Sequence, residues 1–221
     1  MIKDNNLTYD FESIDEYEDI ARKGFQFFLK RVMDIILSAV GIVLLCPVFI
    51  LISIAIKLDS KGPIIFKQCR VGKGNKNFNI YKFRTMRQNA HKEQKLEIGN
   101  IHEFVFQSGE DPRITKVGNF LRKTSLDEIP QLFNVLIGNM SLVGPRPEIP
   151  EVVEHYPKEY MQRLSVLPGI TGLAQISGRG EIELGKTIYY DLKYIKNFSV
   201  WYDVKILFNT IFSVLRKEGA R

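Results

Sequence analysis

From Ile35 to Ile56 the chain reads IILSAVGIVLLCPVFILISIAI, 22 residues without a charge. A straight helix of that length is about 33 Å long, close to the hydrocarbon thickness of a bilayer. A helix apolar on every face for so long does not suit a water-facing domain, so the pattern predicts a membrane-inserted helix. Its flanks conflict with a simple crossing. Arg22, Lys23, Lys30 and Arg31 precede the run, and Lys57, Lys61, Lys67 and Arg70 follow it, whereas positive charge stays on the cytoplasmic side. Pro47 falls within the run, removing one helix hydrogen bond and bending the axis. The residues alone leave two readings. One is a kinked spanning helix; the other breaks near Cys46-Pro47 and returns to the same face.

Past Asp59 the periodicity shortens. GPIIFKQCRVG and FNIYKFRTM read as two strands joined around Gly72-Lys73-Gly74-Asn75, a hairpin signal. Alternation puts Ile80, Lys82 and Arg84 on one face and Tyr81 and Phe83 on the other. Lys82 and Arg84 become neighbouring cations, serving either a solvent face or a phosphate contact. Residues 87–108 are polar and predict a helix plus loop. Short helices are expected over Ile114–Arg122, Leu126–Leu136 and Tyr156–Leu164, with a loop at Gly144-Pro145-Arg146-Pro147. LPGITGLAQISGRG reads as a Gly-rich loop with strand-like pieces. The last forty residues mix Tyr189, Tyr190, Tyr194, Trp201, Phe208 and Phe212 with Lys193, Lys196 and Lys205. That pattern suits amphipathic helices at a membrane interface or a core face. The first twenty residues are acidic and predict a solvated lead-in with, at most, a short helix.

Composition narrows the chemistry. The 221 residues are 45% hydrophobic and 25% charged, with a net charge of +6, ordinary for one globular domain. A basic balance suits phosphate-bearing substrates, anionic lipid or nucleic acid, but no nucleic-acid-binding motif is present, so no nucleic-acid partner is expected. The two cysteines make no disulfide framework. The three histidines are scattered and no zinc-ligand spacing occurs. The first stretch lacks the basic start and apolar core of a secretory signal. GKGNK lacks P-loop spacing, and neither a dinucleotide fingerprint nor a GxSxG elbow is found.

The leading candidates for chemistry are Asp127 and Glu128, in Thr124-Ser125-Leu126-Asp127-Glu128-Ile129-Pro130. Ser125 to Glu128 fits a capping box, and Pro130 is tolerated near a helix start. Two acids in a first turn complement the helix dipole and need no function. The same place keeps a carboxylate ionised and offers N–H groups to phosphate, and an ionised Asp can be a nucleophile. Adjacent positions point about 100° apart, so the two acids should have separate roles. Either could bind Mg²⁺, which takes carboxylates together with substrate phosphates. Arg122 lies five residues before Asp127, and Arg146 is mounted between Pro145 and Pro147. Both suit bidentate phosphate contact.

These segments, in order, resemble the bacterial sugar transferase family, the monotopic polyprenyl-phosphate phosphoglycosyl transferases. The resemblance rests on KRVMDIILSAVGIVLLCPVF, FNIYKFRTM, DPRITKVGNFLRKTSLDEIPQLFNVLIGNMSLVGPRP and LPGITGLAQISGR, and covers residues 27–217. It implies an α+β, mostly helical, membrane-associated single domain with a re-entrant helix-break-helix, a small β-hairpin and interfacial helices. Residues 1–29 would be the lead-in, 30–58 the re-entrant helix and 59–221 the catalytic domain on the cytoplasmic face of the bacterial inner membrane. Asp127 would attack the sugar-bearing phosphate of a UDP-sugar and release UMP. Polyprenyl (undecaprenyl) phosphate would then take the sugar phosphate, beginning assembly of a surface glycan. Mg²⁺ would sit by Asp127, with Glu128 as base or orienter. Lys82, Arg122 and Arg146 match the family's cations near the phosphates, and Arg84 stands where some members have Lys. Asp191 matches another functional acid, and Pro145-Arg146-Pro147 a nucleotide-side loop. Lys30-Arg31 and Asp34 match the start of the re-entrant helix. Its break reads Ser-Pro in many members and Cys46-Pro47 here, and cysteine is the weaker partner for freed backbone groups. The absence of membrane helices before residue 30 resembles the compact catalytic form, and the interfacial helices could support a homodimer.

Overall fold

The computed structural model describes residues 2–4, 7–9, 24–90, 98–105, 111–178 and 182–215. The apolar run is divided between two helices, α1 (Gly24–Leu44) and α2 (Cys46–Asp59), bent by 60° at Leu45. Pro47 has no N–H to donate, so the ladder is interrupted one turn upstream. The main chain stays satisfied around the gap, with the Leu45 N–H donating to Gly41 O and the Phe49 N–H to Leu45 O, each at 2.9 Å. Among the described residues no single helix is long and apolar enough to cross a membrane; the bent pair meets that test only jointly.

The faces of α1 are inverted. Lys30, Asp34 and Ser38, spaced by four, are its buried residues, while Phe28, Ile35, Ile36, Val40, Val43 and Leu44 point outward. A helix packed on a water-soluble domain does the opposite. The inward stripe is used. Lys30 Nζ donates to Val143 O and to Asp203 Oδ2, and Asp34 Oδ1 accepts the Leu142 N–H at 2.9 Å. Arg31 donates to the carbonyls of Val135 and Leu136. The basic flank expected at a lipid boundary is thus partly drawn into the protein.

The predicted hairpin is present: β3 (Ile65–Val71) pairs antiparallel with β4 (Asn77–Phe83), from Ile65 opposite Phe83 to Val71 opposite Asn77. Ahead of it, β1 (Ile2–Asp4) and β2 (Leu7–Tyr9) pair antiparallel, where a solvated segment or short helix was expected. α3 (Lys116–Thr124) is capped by the Thr115 hydroxyl, which accepts from the Gly118 N–H. Gly118 presses on the chain after β4, and a Cβ there would strike the Thr85 carbonyl. The expected Leu126–Leu136 helix is broken into a 3₁₀ turn (Leu126–Glu128) and α4 (Gln131–Ile137). Pro130, lacking an N–H, separates them.

β5 (Ser141–Val143) runs parallel to β6 (Gly169–Thr171). Between them lie the Pro-Arg-Pro loop, α5 (Pro150–Val153) and a 3₁₀ helix over Tyr160–Ser165, in place of the helix expected from Tyr156. The Gly-rich segment expected as a loop contains α6 (Leu173–Gly178). The described parts of 87–108 are turns, and the rest of that expectation lies outside the described residues. α7 (Leu184–Lys196) buries Leu184, Ile188, Asp191, Leu192, Tyr194 and Ile195, so for this part of the aromatic-basic stretch the core-face alternative holds. α8 (Val200–Leu215) buries Asp203 and Ile206 and exposes Trp201, Val204, Phe208, Ile211 and Phe212. The main core joins Ile80, Val135, Met140, Val143, Val152, Ile188 and Ile206. A smaller one, Ile52, Ile56, Phe83 and Leu121, binds α2 to β4 and α3.

Candidate active site

Three segments meet at Glu128. β4 supplies Lys82, whose Nζ donates to Glu128 Oε1 at 2.7 Å. The loop after β5 supplies Arg146, whose Nη2 donates to the same oxygen at 2.7 Å. Glu128 ends the 3₁₀ turn that follows α3, and Ser125 enters that turn in the left-handed region at φ 57°. No capping box forms. Ser125 makes no side-chain cap bond, its carbonyl accepts the Glu128 N–H, and the Glu128 carboxylate turns to the two cations.

Asp127 stands one residue away and behaves oppositely. Among the described residues it is in no hydrogen bond or ion pair. Burial pushes its pKa up against the pull of Lys82, and the charge of Glu128 adds to the rise. For Glu128, burial alone would raise the pKa, but Arg146 and Lys82 outweigh it and hold the group well below the usual carboxylate range. Burial lowers Lys82 despite Glu128 beside it, whereas Glu128 raises Arg146. Glu128 is therefore an ionised counter-ion with both cations committed to it, a better orienter than base. Asp127 is the more basic carboxylate and has a free coordination shell. The helix N-terminus expected to keep Asp127 ionised is absent, because the acids precede α4 in a separate turn.

Arg122, on the last turn of α3, donates from Nε to Thr85 Oγ1 at 2.9 Å and acts electrostatically on Asp127. Lys82, Arg122 and Arg146 thus gather around the acid pair as the sequence suggested. Arg84 does not. It follows the end of β4, is buried, and donates to the Ser60 and Lys61 carbonyls and the Ser60 hydroxyl. The alternation linking it to Lys82 stops with the strand at Phe83. Arg84 therefore clamps the chain leaving α2 and is not available to a phosphate. Cys46 and Pro47 start α2 at the bend.

The rigidity of the Pro145-Arg146-Pro147 loop comes from more than its prolines. Three consecutive carbonyls are taken: Pro145 O by the Gly169 N–H at 2.9 Å, Arg146 O by Arg163 Nη2 at 2.8 Å, and Pro147 O by Arg70 Nη1 at 3.1 Å. Gly144, before the loop, lies so close to the main chain of Leu167 that a Cβ would clash with that carbonyl. Arg163 is 2% exposed. It also pairs with Asp191 Oδ2 at 2.7 Å and donates to the Tyr156 hydroxyl at 2.6 Å. Asp191 is thus a buried support behind the loop, not a group beside Asp127. Sequence reasoning missed Arg163 and Arg70. The one signal for Arg163 was a cation in the apolar setting of QRLSVLPG.

For a divalent cation, the described residues contain no cluster of three or more His, Cys, Asp or Glu. Mg²⁺ needs fewer protein ligands when substrate phosphates complete its shell, and the unpaired Asp127 carboxylate fits that requirement.

The cation-lined acid pair is the candidate site, and comparison gives the chain a family. The profile described as "Bacterial sugar transferase" matches residues 25–217, and the chain belongs to that family. It is 45% identical over 210 residues to the UDP-glucose:undecaprenyl-phosphate glucose-1-phosphate transferase of Escherichia coli K12, covering 91% of this chain and 43% of that protein. It is 45% identical to the UDP-N-acetylgalactosamine-undecaprenyl-phosphate N-acetylgalactosaminephosphotransferase of Aeromonas hydrophila, covering 88% of this chain and 45% of the other. Identity is 44% to the undecaprenyl-phosphate galactose phosphotransferase of Salmonella typhimurium, covering 87% and 42%. The chain spans less than half the length of each of these relatives. Near-equal identity to proteins named for three different sugars leaves the sugar undetermined.

Proposed function

We propose that this protein transfers a sugar 1-phosphate from a UDP-sugar to polyprenyl phosphate, undecaprenyl phosphate being the lipid in the names of its relatives. The observation that carries the proposal is the unpaired, basic Asp127 carboxylate beside an ionised Glu128 that has gathered Lys82 and Arg146. In the first step an Asp127 Oδ attacks the sugar-bearing phosphorus. The Oδ–P bond forms, the bridging P–O bond to the nucleotide phosphate breaks, and UMP leaves with that electron pair. In the second step an oxygen of the lipid phosphate attacks the same phosphorus, breaking the Oδ–P bond and regenerating the carboxylate. Lys82, Arg122 and Arg146 face the charge that accumulates on the phosphoryl and leaving oxygens. Glu128 keeps two of these cations in place. Mg²⁺, held by Asp127 and the diphosphate, would supply further charge neutralisation.

The lipid acceptor requires a membrane, and the inverted α1 supports one. Its polar stripe is bonded into the protein through Lys30 and Asp34 Oδ1, so the outward Ile, Val, Leu and Phe would face a surrounding that is itself apolar. Bent by 60°, the α1–α2 pair would dip into the cytoplasmic leaflet of the inner membrane and return, with the exposed row of α8 as a second contact. The chemistry would begin assembly of a surface glycan.

Incubation with a UDP-sugar and Mg²⁺ but no lipid acceptor tests the mechanism. Intact-mass measurement should show the protein gaining one sugar phosphate as UMP appears, and Asp127→Asn should gain none. Lipid-linked product formed without an adduct would refute the covalent step. Free sugar phosphate as the sole product, with acceptor present, would instead indicate a phosphohydrolase.

A further inference from the structure

We infer that Asn134 is the positioning residue that holds Lys82 against Glu128. The inference rests on the dyad reading above and concerns a residue that takes no part in the chemistry. Asn134 lies in α4, 0% exposed; both groups of its side-chain amide are spent on β4 and its main-chain carbonyl on the turn into β5. Its Oδ1 accepts the Tyr81 N–H at 2.9 Å, and its Nδ2 donates to Asn79 O at 2.7 Å. Those two main-chain groups lie on the edge of β4 away from β3. Residues 79 and 81 have the same parity, and β4 has no other strand partner. The side-chain amide thus takes the place of a strand residue on that edge. Its main-chain carbonyl accepts the N–H groups of Asn139 and Met140 at 3.0 and 3.1 Å, the turn that leads into β5.

The consequence is geometric. Lys82 is one residue beyond the anchored Tyr81. Glu128 is one and a half turns of chain before Asn134 on the segment that continues into α4, and β5 runs directly into Gly144-Pro145-Arg146. The side-chain amide therefore ties the strand that carries Lys82 to the helix that follows Glu128, while the main chain of the same residue holds the turn that leads towards Arg146. Sliding β4 along α4 by one residue would turn Lys82 to the opposite face of its strand, and the main-chain bonds to Asn134 oppose that slip. Both amide groups contribute, since either alone leaves a partly buried main-chain group of β4 without its partner.

The test compares Asn134→Ala with Val135→Ala, a neighbouring buried truncation with no polar role. Lysine footprinting with an amine-reactive reagent, read by mass spectrometry, needs no turnover. Lys82 labelling should rise at least about fivefold in Asn134→Ala and stay at the wild-type level in Val135→Ala. In the transfer assay, kcat should fall by about ten- to a hundredfold in Asn134→Ala, the scale of an ångström-sized misplacement. In a Lys82→Met background the same truncation should cost less than about twofold, because the residue it positions is gone. Should Asn134→Ala fail to fold, Asn134→Asp keeps the shape while setting an oxygen against the Asn79 carbonyl, and the same readouts apply. Wild-type labelling and kcat in either folded variant, or full additivity with Lys82→Met, would overturn the assignment. Loss of the dyad reading announces itself separately, through Asp127→Asn retaining turnover while the labelling contrast persists.

Discussion

Two charge clusters flank the Pro145-Arg146-Pro147 loop, and Arg146 belongs to both, its guanidinium to one and its carbonyl to the other. Behind the loop, Arg163, Asp191 and Tyr156 are closed: Arg163 is 2% exposed and bonded to the carboxylate, the phenol and the loop carbonyl. In front, Lys82, Glu128, Arg146 and Asp127 are open. The Arg146 side chain is 44% exposed, and among the described residues Asp127 has no hydrogen-bond or ion-pair partner. Both clusters contain acids and cations at hydrogen-bond distance, so charge density does not separate them. The difference lies in satisfaction. A closed cluster has nothing left to offer a ligand and contributes position; an open one holds an unmet demand for charge that a substrate can meet.

The largest effect should come from removing the open group. Asp127→Asn is expected to lower transfer by about a thousandfold or more, as loss of a nucleophile does, while thermal stability rises. The sign follows from its raised pKa. A carboxyl whose folded pKa lies above its unfolded one contributes stability at low pH that is lost as pH rises through the folded value. At neutral pH the charge is therefore a cost, and the amide relieves it. A melting scan of both proteins at pH 7 checks this; a lower melting temperature for Asp127→Asn would place the residue with the closed cluster.

Next is the closed cluster itself. Arg163→Met should destabilise the fold by about 3–5 kcal/mol, since it strands the buried Asp191 charge and the Arg146 carbonyl. Removing both charges, Arg163→Met with Asp191→Leu, should recover part of that loss, as replaced buried pairs commonly do. Denaturant titration of the three proteins gives the comparison. No recovery in the double variant would mean that the loop carbonyl or the buried Glu148, 3.8 Å from Arg163, carries the cost and not Asp191.

Glu128 lies between these cases, open in location but paired. Glu128→Gln should cost about 2 kcal/mol, the scale of charge-assisted hydrogen bonds. Because its folded pKa is depressed, its contribution is present above the unfolded value and is lost as pH falls through the folded one. Adjacent acids should thus give melting-temperature changes of opposite sign at pH 7. Changes of the same sign would erase the distinction between them.

Much of this was legible from residue order. The hairpin followed from alternation and its Gly-containing turn, and the bend from a proline in an apolar run. Asp127, Glu128 and Arg146 were visible as charge beside turn chemistry, Lys82 through strand alternation and Arg122 through its spacing from Asp127. What stayed hidden depends on contacts remote in sequence. Arg84 and Lys82 look equivalent two residues apart, but the strand ends between them and Arg84 is captured by Ser60 and Lys61. α7 and α8 share an aromatic-basic pattern, and only packing distinguishes the buried helix from the exposed one. Asn134, Arg163 and Arg70 carried no motif because each holds main-chain groups, which sequence does not mark, and the side chains that Arg163 pairs with are remote from it in sequence.

The smallest expected effect makes the finest cut between support and site. Tyr156→Phe removes one hydroxyl from Arg163 Nη1, a 2.6 Å bond, and leaves the Asp191 pair and the bond to the Arg146 carbonyl untouched. One lost hydrogen bond to a charged group costs about 1.5 kcal/mol, so the unfolding midpoint should fall measurably. The loop carbonyl keeps its donor, so Arg146 should stay against Glu128 and the transfer rate should match wild type at 25 °C. A fall in kcat with KM for the UDP-sugar unchanged would mean that the closed cluster reaches the chemistry through the loop. Arg163 would then have to be counted with the residues that position the reaction, not with those that only hold the fold.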